Sequence, residues 1–103
     1  MSDISYSIDE IRQRISPIAA RYGVERVFLF GSYARGNALP SSDIDLRIDS
    51  GAIHGYFMMA GLYRELNEAL ATPVDVLTTG SLSNEFLSRI SEEEIMLYER
   101  PKH

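Results

Sequence analysis

The sequence predicts a small α/β protein (α+β in its detail), a single mixed β-sheet with helices packed on it. Three observations lead there. Two long stretches repeat their apolar residues at helical spacing, and a third alternates acid and apolar residues with a period of two. Short clusters of Gly, Pro and Ser punctuate the stretches between them. The 103 residues suit one domain, residues 1–103, which buries roughly 60–70% of the surface its unfolded chain exposes.

The elements follow in order. Ser7-Ile8-Asp9-Glu10 is a capping box, in which the Ser7 hydroxyl and Glu10 carboxylate each satisfy an orphan backbone N–H. Ile8, Ile11, Ile15, Ile18, Ala19 and Tyr22 then share a helical stripe, and Gly23 supplies the stop. Pro17 inside this helix predicts a kink, because its ring meets the Gln13 carbonyl. Val24 to Phe30 is a strand whose apolar run suits cover on both faces. Gly31 to Gly36 is a turn entering a short helix, and Asn37 to Ser42 is loop. Asp43 to Asp49 is the alternating strand. After a turn at Ser50 to Gly55, Tyr56 to Leu70 is helical, and Thr72-Pro73 ends it. Pro73 to Thr78 is a short strand and Ser83 to Ile90 a helix. Ile95 to Tyr98 is short enough to be an edge strand, although Ser91-Glu92-Glu93-Glu94 before it resembles a helix cap.

Composition excludes several classes. Hydrophobic residues make up 45% and charged residues 24%, as in soluble globular domains. There is no cysteine, which removes disulfides and thiolate metal sites, and the two histidines, His54 and His103, make a histidine-rich metal site unlike this chain. No apolar stretch approaches the roughly 20 residues of a membrane helix. The N-terminus has no basic region followed by an apolar run, so a cytoplasmic location is expected. With a net charge of −5 and ten scattered Lys and Arg, long nucleic acid is not the favoured partner.

The chemistry-bearing residues lie mostly between Phe30 and Ile48. Asp43 and Asp45 point to one side of a strand, with Cβ atoms roughly 6.5–7 Å apart. Two carboxylates so placed can converge on one divalent ion or bracket two. Magnesium suits them, since it takes few protein carboxylates and completes its shell with phosphate oxygens and water. Gly31-Ser32, leaving a strand for a helix, offers free N–H groups and close backbone approach to a phosphate. Arg35, one turn on, adds a fixed positive charge. Asp75 stands between Val74 and Val76, where a carboxylate is costly unless paired or bound to metal. Taken singly, each has an ordinary explanation: a solvated strand face, a common turn, a strand-end acid in water.

Together these residues are more specific. Gly31-Ser32, ten intervening residues, Asp43-x-Asp45 and a later strand acid, Asp75, resemble the signature of the polymerase β-like nucleotidyltransferase superfamily. The match over Phe30 to Arg47 and Pro73 to Leu77, with the Leu97-Tyr98-Glu99 ending, looks like its smallest members, the minimal nucleotidyltransferases (MNT). Many of these are antitoxins paired with a HEPN ribonuclease toxin. The resemblance implies a polymerase β-like nucleotidyltransferase core and transfer of AMP from ATP to a tyrosine hydroxyl of that toxin, neutralising it. By position, Gly31, Ser32 and Arg35 would hold the triphosphate. Asp43 and Asp45 would bind two Mg2+ ions, and Asp75 would complete one shell and help deprotonate the acceptor. The charge balance agrees: about four negative charges on the ATP tail beside three carboxylates repel by several kcal/mol even in an effective dielectric near 20. Two divalent ions offset about four of those charges.

Two alternatives stay open. One is a non-catalytic antitoxin that neutralises by occlusion. The other is a nucleotidyltransferase acting on a small molecule or RNA, for which so short a chain has little room. Arg47, on the face of Asp45, would meet a phosphate, a partner acid or a surface salt bridge. Tyr33, Tyr56 and Phe57 are candidates for a protein interface, although single aromatics more often belong to the core, and Tyr33 also for a place near the base.

Overall fold

The computed structural model describes residues 6–101. The N-terminal segment before Tyr6 and His103, both used in the sequence readings, lie outside the described residues. Helix α1, Ile8–Tyr22, starts at the capping box. The Glu10 N–H donates to Ser7 Oγ at 3.1 Å, and the Ser7 N–H donates to Glu10 Oε1 at 2.8 Å. Gly23, at φ +72°, ends it by donating its N–H to the Ala19 and Ala20 carbonyls. The helix runs unbroken through Pro17, where a kink is expected. Pro17 and Gln13 are both exposed, so water can take the carbonyl that proline frees.

The remaining elements are β1 (Arg26–Phe30), α2 (Ser32–Arg35), β2 (Ile44–Asp49), α3 (Tyr56–Leu70), β3 (Val74–Thr78), α4 (Asn84–Ser91) and β4 (Ile95–Glu99). The alternating strand begins at Ile44 and leaves Asp43 just outside it. Ile95 to Glu99 is the expected edge strand.

One four-stranded mixed sheet results, in the order β3-β2-β1-β4. Strand β1 pairs antiparallel with β2 and β4, and β2 pairs parallel with β3. Parallel neighbours need a crossover, which α3 supplies. Ile11 and Ile15 of α1, with Leu62, Leu66 and Leu70 of α3, pack against Val27, Leu29, Ile44, Leu46, Ile48 and Val74. Each fully buried Leu or Ile contributes roughly 1.5–3 kcal/mol. That apolar layer fixes the register, because a one-residue slip would send every buried side chain of β2 to the other face.

The opposite face carries the polar residues. Phe30, Asp45 and Asp75 form one row across β1, β2 and β3, and Phe28, Arg47 and Leu77 form the next. Strand β1 is covered on this side by side chains rather than by a helical layer. The Arg47 guanidinium lies 4.2 Å from the Phe28 ring centre. Phe86 of α4 meets Phe30 edge to face, with centroids 6.0 Å apart.

Candidate active site

Asp45 and Asp75 stand directly opposite each other on parallel strands. Asp45 is half-buried, while Asp75, on the outer strand, is exposed. Asp43 precedes β2 and is also exposed. The carboxyl of Asp45 is pushed from its ordinary 3.8 up to about 6. Burial is the largest cause, followed by the charges of Asp75 and Asp43 and a hydrogen bond to Asp75, with Arg35 opposing. Burial and neighbouring negative charge both disfavour the ionised form.

These residues fit a magnesium ion by chemistry. They are hard oxygen donors, and the raised carboxyl records the negative charge that a divalent cation would offset. Among the described residues, no three acid or imidazole groups are close enough together to form a ready metal cage. The preformed part is therefore the cross-strand pair Asp45 and Asp75, with Asp43 acting on it through charge.

The glycine turn lies against this pair. Gly31, at φ +80°, is in backbone space that favours glycine. A Cβ there would overlap Asp45 Oδ2. Glycine is thus required twice, for its conformation and for its closeness to the acid. Ser32 opens the single turn of α2, which ends at Gly36 (φ +83°). Asp45, Asp75, Gly31 and Ser32 are brought to one end of the open face, as the sequence implies.

The surroundings of four of these residues narrow what the sequence left open. The Gly31 N–H is not free: it donates to Glu93 Oε2 at 2.8 Å. Arg35 is not a solitary charge, since its Nη1 donates to Glu93 Oε1 at 3.1 Å and Oε2 at 3.3 Å. The Gly31 N–H is the main reason that Glu93 is held below the usual carboxylate range, and Arg35 adds to it. Arg47 is likewise committed. Its Nε and Nη2 donate to the Glu94 carboxylate at 2.5 and 2.8 Å, and its Nη1 donates to Thr79 Oγ1 at 2.7 Å. Arg47 therefore braces the sheet face and is not placed to take a phosphate. Tyr33 is 5% exposed and belongs to the core, so it is neither an interface nor a base-contacting residue. Tyr56 and Phe57 are exposed, at 84% and 90%.

Sequence reasoning missed Glu93 and Glu94, the pair that grips both arginines. Their contacts span 62 and 47 residues, so no local spacing reveals them.

The polymerase beta nucleotidyltransferase family matches residues 13–103. The chain belongs to that family. It is 38% identical over 89 residues to a Methanocaldococcus jannaschii protein named provisionally as a protein adenylyltransferase, a match covering 86% of this chain and 96% of the relative. A solved structure described as a provisional minimal nucleotidyltransferase superposes with a TM-score of 0.75 at 29% identity, covering 87% of this chain and 95% of that one. The fold is also shared with a complex of a tri-AMPylated Shewanella oneidensis HEPN toxin and its MNT antitoxin. There the TM-score is 0.69 at 19% identity, and 90% of this chain and 73% of that one are covered. The expected kinship with minimal nucleotidyltransferases is borne out, and the chain is a nucleotidyltransferase by family. No helix among the described residues is long and apolar enough to cross a membrane.

Proposed function

We propose that this nucleotidyltransferase moves AMP from ATP to a tyrosine hydroxyl of a HEPN-type toxin and thereby neutralises it. The observation that carries the proposal is the in-register pair Asp45 and Asp75 beside a glycine that tolerates no side chain. Kinship with protein adenylyltransferases supports AMP as the transferred group.

Gly31, Ser32 and Arg35 hold the triphosphate. Asp43, Asp45 and Asp75 would hold magnesium, two ions in all, which when bound would supply positive charge to the phosphate oxygens. The acceptor oxygen bonds to the α-phosphorus in line with the departing pyrophosphate, and the α–β bridging bond breaks. Asp75 helps remove the acceptor's proton. Its exposure suits it to meet a hydroxyl brought by another molecule. Asp45, half-buried behind it, suits the metal side.

The test is incubation with α-labelled ATP, magnesium and a HEPN-type protein, the product of the neighbouring gene if that is one. Label should reach that protein and should be lost when its acceptor tyrosine is changed to phenylalanine. If ATP binds but no label is transferred, catalysis is excluded and neutralisation by occlusion takes its place.

A further inference from the structure

We propose that Glu93 is a positioning residue for the nucleotide side of the site, fixing the Gly31 turn and aiming Arg35. This rests on the reading that Gly31, Ser32 and Arg35 face the triphosphate.

The geometry distinguishes a brace from a plug. Asp45 and Asp75 lie on β2 and β3, on one side of β1, while Glu93 stands two residues before β4 on the other. The Gly31 α-carbon faces Asp45, and its N–H points to Glu93. Glu93 thus grips the turn from the side away from the acids. Its carboxylate accepts from the Gly31 N–H through Oε2 and from Arg35 Nη1 through both oxygens. Both ends of the α2 turn are thus tied to one carboxylate, which holds the turn against Asp45.

Arg35 is held by one nitrogen of its five-donor fork, leaving other N–H groups of the planar head to meet phosphate oxygen. Its positive charge also acts on Asp45, opposing the larger causes that raise that carboxyl. An arginine fixed beforehand loses less side-chain entropy when it binds. Glu93 is also one-quarter exposed and sits in the turn between α4 and β4. It therefore transmits the placement of the β4 edge to the nucleotide turn.

The experiment measures Mg·ATP affinity by calorimetry and melting temperature in the full chain, for E93A, E93Q, R35A and E93A/R35A. A brace predicts about tenfold weaker ATP binding in E93A, the scale of one charge-assisted hydrogen bond. E93Q, which keeps an acceptor for Gly31, should lose only about threefold, between the neutral and charged bond. R35A should bind about tenfold more weakly, and the double variant no more weakly than R35A alone, because Glu93 acts largely through Arg35. Melting temperature distinguishes a purely structural role, which lowers it and leaves the affinity of the folded protein unchanged. E93Q carries the test if E93A does not fold. ATP affinity unchanged in E93A and E93Q, with R35A weakened, overturns the positioning role alone. Tighter binding in either Glu93 variant also overturns it, since a plug would behave that way. Unchanged binding in R35A overturns the underlying reading of Arg35 and the positioning role with it.

Discussion

Replacing Asp45 with asparagine should stabilise the metal-free protein while destroying transfer. The carboxyl rises from 3.8 to about 6 on folding. One unit is worth about 1.36 kcal/mol, so a fully buried group would cost about 3 kcal/mol of stability when ionised. Asp45 is only half-buried, and solvent screening reduces this to about 1–2 kcal/mol. The sign follows from proton linkage. Between about pH 4 and pH 6 the folded chain holds a proton that the unfolded chain has lost, so stability falls as pH rises through that window and is level above it. Asparagine carries no charge at any pH. The variant should therefore melt about 5–10 °C above the wild type at pH 8 in EDTA, and the gap should close by pH 4. Magnesium should raise the wild-type melting temperature more than the variant's. Paired thermal scans at both pH values decide it. A variant that melts at or below the wild type at pH 8 refutes the electrostatic strain assigned to this acid.

Other substitutions test neighbouring contacts. Gly31→Ala should abolish ATP binding and cost about 2 kcal/mol or more in a denaturant titration, since it adds a left-handed backbone penalty to an overlap with Asp45. Gly36→Ala meets nothing within 4 Å; it should cost about 1 kcal/mol and spare binding. Arg47→Ala should destabilise by about 3–5 kcal/mol, because it strands the Glu94 carboxylate, whose side chain is 8% exposed. Equilibrium unfolding would register that loss. Ser7→Ala removes half of the capping box and should cost about 1 kcal/mol of stability, with nucleotide binding unchanged by calorimetry.

Most elements were legible because local patterns carry them. The Ser7–Glu10 box set the start of α1, and the alternation from Ile44 to Asp49 set β2 and its two faces. The convergence of Gly31, Asp45 and Asp75 was legible too, though only as a known signature; periodicity alone left each with an ordinary explanation. What remained hidden was non-local. Glu93 and Glu94 resembled a helix cap in sequence, yet they reach back to Arg35 and Arg47 across the fold. Tyr33 follows the commoner fate of a lone aromatic and joins the core, which its short turn has no period to signal. The Gly31 N–H illustrates the same limit. A glycine turn announces an unpaired donor, but its partner comes from the far end of the chain.

The decisive measurement is the intact mass of the proposed HEPN-type partner after incubation with this protein, ATP and magnesium. A gain of one or more whole AMP groups on tyrosine, absent with the D43N/D45N variant, is the predicted result. An unchanged mass, with the partner nonetheless neutralised by wild type and variant alike, would contradict catalysis by the acidic row and the glycine turn.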